Sequence, residues 1–140
     1  MRASVFHGTE DIRIDDVPDP KIENPTDAIV RITRTAICGS DLWFYRGQQD
    51  YPEGARTGHE PMGVVEEVGS GVRHLQPGDL VLAPFAISDG TCEFCHAGVH
   101  TSCQHGGFWA GMTDGAQGEA VRAPWADGTL VRVPERVQDN

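Results

Sequence analysis

The feature that most restricts the fold of this chain is the shortness of its apolar runs, which glycine and proline repeatedly interrupt. The pattern predicts about seven short strands, the clearest over residues 27–38, where β-branched side chains alternate. The others fall near residues 1–8, 11–16, 62–68, 80–85, 118–124 and 130–134. No stretch has the length and period of a long amphipathic helix. Short strands separated by turn residues are typical of a small β-barrel, so we predict a mainly β fold.

The charge excludes two classes of partner. The chain has 11 basic and 21 acidic residues and a net charge of −10, which repels nucleic acid and anionic membrane surfaces. Its apolar runs are too short for a membrane span, and its first residues do not form a signal-peptide pattern. We therefore expect a cytoplasmic protein. In a reducing compartment, the four cysteines favour metal binding over two disulfides.

Two short segments carry the first candidate metal site. Cys38 and His59 offer a thiolate and an imidazole, which are donors that zinc prefers. Asp41 follows Cys38 by three residues, and Glu60 is next to His59. A ligating histidine usually needs a carboxylate or carbonyl on its other nitrogen. Spacing alone leaves open a buried structural cysteine with a core histidine, and two solvated loop carboxylates.

A second cluster lies in residues 86–107, which have little periodicity of their own. Its three cysteines have the spacing Cys92-x-x-Cys95-x7-Cys103. A bound metal would explain how such a loop is ordered. Cys92 and Cys95 alone could be a redox pair, but the βαβ setting of such pairs is missing. Candidates for a fourth ligand are Asp89, His96, His100 and His105.

These motifs together resemble the zinc-containing alcohol dehydrogenases of the medium-chain dehydrogenase/reductase family. The matching segments are Ala36–Asp41, Gly58-His59-Glu60-x-x-Gly63 with Gly69 and Val72, Gln76–Val81, and the three cysteines of the second cluster. They occur in the family's order and cover about residues 2–134. The resemblance implies one domain over residues 1–140, a partly open barrel of the GroES-like type. It also implies short helical turns and a zinc-binding lobe at about residues 86–107.

The resemblance also implies roles for the residues of the first site. Cys38 and His59 would ligate a catalytic zinc whose third protein ligand is expected beyond position 140. Asp41 would orient His59, and Glu60 would approach the metal from behind. Ser40 would take the proton of the alcohol, and either Ser40 or Asp41 could also cap a helical turn over residues 40–45.

Three aromatic residues are candidates for the walls of the substrate pocket. Trp43 occupies a position where many relatives have a relay histidine, and an indole cannot shuttle protons at neutral pH. We therefore expect Trp43 to shape the substrate pocket. Phe85 matches a pocket-wall residue of the family, with ordinary core packing as the alternative. Trp109 is either part of the pocket, a lid, or a group packed at the surface.

The second cluster departs from the family at its first ligand. Four cysteines are usual there, whereas this chain has Asp89 in the first position. A carboxylate oxygen can complete a tetrahedral zinc site, although three cysteines with a histidine are commoner. Because Asp89 falls in register, we predict a structural zinc held by Asp89, Cys92, Cys95 and Cys103.

A dinucleotide-binding fingerprint is missing, since Gly69-Ser70-Gly71 is followed by His74 where a third glycine belongs. We expect NAD or NADP to bind a Rossmann domain absent from this chain. The expected function is the catalytic domain of a zinc-dependent alcohol dehydrogenase-like oxidoreductase, interconverting an alcohol with its aldehyde or ketone. The fragment alone is expected to be inactive, and the whole protein a homo-oligomer. One alternative is a zinc-stabilised binding module without catalysis; another is a metal-free quinone or enone reductase, disfavoured by Cys38 and His59.

Overall fold

A computed structural model describes residues 1–138 of the chain, and the predicted domain's last two residues, Asp139 and Asn140, lie outside them. The strands are β1 (Arg2–Gly8), β2 (Asp11–Asp16), β3 (Ala28–Thr35), β4 (Pro61–Val68), β5 (Leu80–Leu82), β6 (Ala86–Ile87), β7 (Gly107–Phe108), β8 (Ala120–Ala123) and β9 (Val131–Arg132). The helices are α1 (Asp41–Tyr45), α2 (Glu93–His96), α3 (Ala126–Thr129), α4 (Glu135–Gln138) and a 3-10 turn, His100–Ser102.

The strands form three sheets that do not close on one another. The largest is antiparallel, with the order β8-β3-β4-β5-β9, and the other two are the hairpins β1-β2 and β6-β7. In the five-stranded sheet, the pairing of β3 with β4 changes register twice, which bends the sheet. The predicted mainly β, partly open architecture is confirmed.

The core lies on the inner face of the large sheet. Val30, Val65, Val81 and Val121 come from four neighbouring strands, and each is at most 2% exposed. Burying a side chain of this size contributes about 1.5–3 kcal/mol to stability. Trp109 belongs to the same cluster and donates its indole N–H to the Pro84 carbonyl at 2.9 Å. The alternative that Trp109 packs at the surface is therefore wrong.

The hairpin β1-β2 holds together two segments that are distant in sequence. The Ser4 amide donates to the Gln117 carbonyl at 2.7 Å, and the Ser4 carbonyl accepts from the Thr57 amide at 3.0 Å. In addition, the Thr57 hydroxyl contacts the Ser4 hydroxyl at 2.8 Å and donates to Gln117 Oε1 at 2.7 Å. Strand β1 thereby brings residues 57–59 beside residues 116–118.

Several predicted element boundaries were wrong. The strand predicted over residues 27–38 ends at Thr35, so Cys38 lies in the turn before α1 rather than at a strand end. The strand predicted over residues 80–85 ends at Leu82. The lobe at residues 86–107, interpreted as a loop, contains β6, α2, the 3-10 turn and the start of β7. Within residues 1–138 there is no helix with the length and apolar character that crossing a membrane requires.

Candidate functional site

The first cluster forms where two chain segments meet, the turn before α1 and the residues before β4. The Cys38 amide donates to Asp41 Oδ2 at 2.9 Å, which closes the turn that carries the thiol. One ligand atom from each of Cys38, His59 and Glu60 lies within 4.8 Å of the other two. A thiol, an imidazole and a carboxylate at this separation form a donor set that suits zinc.

Asp41 lies behind His59. Its side chain is only 7% exposed, and Oδ1 is 3.3 Å from His59 Nδ1. This contact falls short of hydrogen-bond geometry, so that Oδ1 is one of two buried side-chain atoms in the described residues with no hydrogen-bond partner. A carboxylate there favours the imidazole with its proton on Nδ1, which leaves a lone pair on Nε2. The alternative that Asp41 is a solvated carboxylate is wrong, whereas Glu60 is exposed.

The predicted capping role of Ser40 is wrong. Ser40 is the residue before α1, but its side chain makes no hydrogen bond to the helix. Its hydroxyl instead lies 3.1 Å from His59 Nε2. The hydroxyl and the free lone pair of the imidazole are therefore neighbours.

Gln117 belongs to this site and was missed from the sequence. Its Nε2 lies 3.4 Å from Asp41 Oδ2, and its Oε1 accepts from Thr57. The amides of Ala116 and Gln117 also bond the carbonyls of Gly58 and Thr57, at 2.9 and 2.8 Å. Gly58 has φ +94°, and a Cβ there would lie 2.3 Å from Gln117 Cγ. The only sequence signal for this contact was that glycine before the histidine, because the pairing itself is long-range.

The first cluster opens into a cleft of about 550 Å³ whose walls include six aromatic side chains. Trp43 lines it and is 54% exposed. Phe85 also lines it and stacks on Phe108, with ring centroids 5.7 Å apart and planes at 8°. Because Phe85 is 47% exposed, the alternative that it is an ordinary core residue is wrong. Phe108, the residue directly after the lobe, was not anticipated as a wall residue.

Tyr51 lines the same cleft but is not a suitable base. Burial, followed by the nearby Asp41 carboxylate, raises the pKa of Tyr51 to about 12. Its hydroxyl donates to the Arg56 carbonyl at 2.9 Å. At neutral pH the side chain is therefore a neutral phenol whose proton is already engaged.

The second cluster unites the four residues that the sequence pattern put in register. One ligand atom from each of them lies within 4.8 Å of the others. Cys92 Sγ is 3.5 Å from Cys95 Sγ and 3.9 Å from Cys103 Sγ, and all the cysteines are free. Zn–S bonds of about 2.3 Å at tetrahedral angles put two sulfurs about 3.8 Å apart, so the cluster fits zinc. The four are Asp89, Cys92, Cys95 and Cys103.

The donors of the second cluster differ in how readily they ionise. The His105 hydrogen bond is the main cause that holds the pKa of Asp89 well below its usual range. Backbone amides, those of Cys95 and Gln104 first, lower the pKa of Cys92 to about 7. Burial raises the pKa of Cys95 to about 12. Asp89 is therefore a carboxylate at neutral pH, and a metal that binds here must displace a proton from Cys95.

Fold and geometry together define a small, partly open β-barrel with two clusters of zinc-type donors, one of them beside an aromatic cleft. The sequence profile of the family described as "Alcohol dehydrogenase GroES-like domain" matches residues 24–135. The chain therefore belongs to the alcohol dehydrogenase GroES-like domain family.

Individual relatives agree with this assignment. Zinc-type alcohol dehydrogenase B of Aspergillus flavus is 44% identical over 140 residues, which cover 99% of this chain and 33% of that protein. The uncharacterized zinc-type alcohol dehydrogenase-like protein AdhB of Bacillus subtilis is 41% identical, covering 99% of this chain and 40% of that protein. The solved structure of alcohol dehydrogenase TADH from Thermus sp. ATN1 superposes with a TM-score of 0.90 at 40% identity, over 96% of this chain and 40% of that one. The chain thus spans two-fifths or less of the length of each.

Proposed function

We propose that this chain is the zinc- and substrate-binding domain of a zinc-dependent, NAD(P)-linked alcohol dehydrogenase-like oxidoreductase. The reaction interconverts a small alcohol with its aldehyde or ketone. The observation that carries the proposal is the grouping of Cys38, His59 and Ser40 along one wall of the aromatic cleft. The domain that binds NAD or NADP lies, under this proposal, outside residues 1–140. Homo-oligomer formation and a cytoplasmic location stay predictions.

Cys38 and His59 would hold the zinc, with Glu60 as a third donor within reach in this chain. When bound, the zinc supplies a Lewis acid for the oxygen of the substrate. Asp41 prepares His59 for this role, because its carboxylate faces Nδ1 and keeps the lone pair on Nε2. Gln117 holds Asp41 from the other side.

We assign the acceptance of the alcohol proton to Ser40. Its hydroxyl lies beside His59 Nε2 and lines the cleft. The next proton acceptor is not Trp43, since its indole is a donor only, nor Tyr51, whose pKa is about 12. We propose that the proton passes from Ser40 to water at the mouth of the cleft. The aromatic walls keep water away from the carbinol carbon, which must give up its hydride to the nicotinamide.

The first experiment uses the 140-residue protein loaded with Co²⁺, whose visible spectrum reports the metal's ligands. We expect two equivalents to bind when Co²⁺ is in excess, and a primary alcohol to change the spectrum of one of them. Cys38→Ser should abolish that change, whereas Cys95→Ser should preserve it. Two filled sites without any response to alcohols would favour the binding module that lacks catalysis.

The second experiment restores a cofactor domain by placing the chain in the corresponding position of TADH from Thermus sp. ATN1. We expect zinc-dependent formation of NADH or NADPH from alcohols, and none from the 140-residue protein by itself. Ser40→Ala should lower kcat about 10²–10⁴-fold, the usual contribution of a positioned acid or base. Ser70→Ala, at an exposed turn, is the matched control. A folded, zinc-loaded fusion that oxidises no alcohol would contradict the proposed function.

A further inference from the structure

The two oxygens of Asp89 face different partners. Oδ1 accepts from the amides of Thr91 and Cys92, at 2.8 and 3.1 Å, and lies 3.3 Å from Cys95 Sγ. Oδ2 lies 2.6 Å from Nδ1 of His105. The Asp89 side chain is 6% exposed, whereas that of His105 is 63% exposed. One oxygen is therefore directed into the thiol cluster, and the other is engaged from the solvent side.

Because the two oxygens have different partners, it is defined which of them faces the cysteines. A cysteine at position 89 would not need this, since it has a single donor atom. A thiolate has one donor atom, whereas a carboxylate has two and can ligate through either or both. Free rotation about Cβ–Cγ would also let the oxygens exchange. Ligating carboxylates are themselves usually hydrogen-bonded, and such partners orient them. His105 holds Oδ2 on the solvent side, so that Oδ1 is the oxygen directed at the cysteines, where a metal would bind.

The position of His105 follows from the turn that places Cys103, two residues earlier. The Asp89 amide donates to Cys103 Sγ at 3.3 Å, so the chain around residue 103 already lies against Asp89. Two residues further on, the imidazole reaches the carboxylate of the same residue. Backbone and side chain of Asp89 are thus bound by one short segment.

We propose that His105 is a positioning residue of the lobe, which donates its Nδ1–H to Asp89 Oδ2 and presents Oδ1 as a one-oxygen ligand. The inference rests on the proposed lobe zinc, held by Asp89, Cys92, Cys95 and Cys103. His105 is then a partner of a ligand and not a ligand. Its contact with Asp89 gives this chain a replacement for a fourth thiolate at the first position.

His100 provides a matched control. It is also exposed, and it also forms its hydrogen bond within the lobe through Nδ1. Its partner, however, is the Ser88 hydroxyl at 3.0 Å, which is not one of the four donors. Loss of a histidine side chain and of a lobe hydrogen bond is therefore the same in both variants, and only contact with Asp89 differs.

The experiment measures zinc affinity by competition with a chromogenic chelator, in a Cys38→Ser background that removes the other metal site. We expect His105→Ala to weaken zinc binding about 10–100-fold at unchanged stoichiometry and to shift the Co²⁺ absorption bands. His105→Asn, whose amide can donate to the same oxygen, should recover most of the affinity and the original spectrum. His100→Ala should bind zinc like the background protein.

Three results would overturn the proposal. The first is unchanged zinc affinity in His105→Ala. The second is full affinity in Asp89→Ala together with loss of zinc in both His105 variants, which would make the imidazole the ligand. The third is absence of lobe zinc in the Cys38→Ser background protein itself, measured as a stoichiometry of zero bound zinc. That result would also refute the proposed zinc site of the lobe. Far-ultraviolet circular dichroism on each variant shows whether a loss of zinc affinity reflects unfolding. If His105→Ala unfolds, recovery of zinc affinity in His105→Asn decides whether the proposal holds.

Discussion

Gly58→Ala should destabilise the protein through two separable effects. Gly58 has φ +94°, a left-handed conformation that costs an ordinary residue about 1–2 kcal/mol. A Cβ there would also lie 2.3 Å from Gln117 Cγ and 2.8 Å from the Gln117 amide nitrogen. Because that amide bonds the Thr57 carbonyl, relief requires the paired backbones to separate rather than one side chain to rotate.

Gly78→Ala isolates the backbone effect. Gly78 has φ +96°, nearly the same as Gly58, but a Cβ there would meet no atom within 4 Å. Both variants gain about 0.4–1 kcal/mol from a stiffer unfolded chain, which cancels in the comparison. Overpacking of a closely packed site costs about 1–3 kcal/mol. The free energy of unfolding should therefore fall by about 1 kcal/mol in Gly78→Ala and by about 2–4 kcal/mol in Gly58→Ala.

The assay is urea denaturation of the zinc-saturated variants, followed by tryptophan fluorescence and circular dichroism. Equal losses of stability in the two alanine variants would refute the reasoning, because they would mean that Gln117 does not pack on Gly58. The metal site offers a second readout. Gly58→Ala should also weaken metal binding at Cys38 and His59, whereas Gly78→Ala should leave it unchanged.

Three further outcomes are expected. Arg122→Met should lower the free energy of unfolding by about 1–3 kcal/mol, because it removes a charged partner from the buried Asp27. Arg31→Met breaks an exposed ion pair and should lower the free energy of unfolding by at most about 1 kcal/mol. Urea denaturation measures both changes. Chelation should make residues 86–107 the first site of protease cleavage, as mapped by mass spectrometry. In the fused enzyme, Trp43→Ala should change KM more than kcat in steady-state assays, because it is a wall residue.

Strands with regular alternation were predictable, and those defined by distant partners were not. Residues 1–8, 11–16 and 62–68 carry their own pattern, and β1, β2 and β4 occur there. The two-residue strands β6 and β7 exist only because Ala86 and Ile87 pair with Phe108 and Gly107. The short helix α2 lies where Cys92 and Cys95 come together. No hydrophobic periodicity in the sequence predicts this helix.

The candidate site was predictable where donor chemistry is encoded locally. Cys38, His59 and the three lobe cysteines stand out by residue type, and the structure brings each set together. Gln117 does not stand out, because an amide has no role until β1 aligns its segment with residues 57–58. Nor could the sequence reveal that Ser40 turns away from its helix toward the imidazole.

The stacked pair of Phe85 and Phe108 would couple the two clusters thermodynamically if both hold zinc as proposed. Phe85 lies between β5 and β6, directly before the lobe, and Phe108 is the last residue of β7, directly after it. Under the proposed function, one wall of the cleft is thus attached to a segment that the lobe zinc would order. By reciprocity, a molecule that binds against Phe108 should tighten the hold of the lobe on its metal, and the metal should tighten the cleft's hold on that molecule by the same factor. Under the proposed function, a zinc that takes no part in the reaction would then be an effector of substrate affinity.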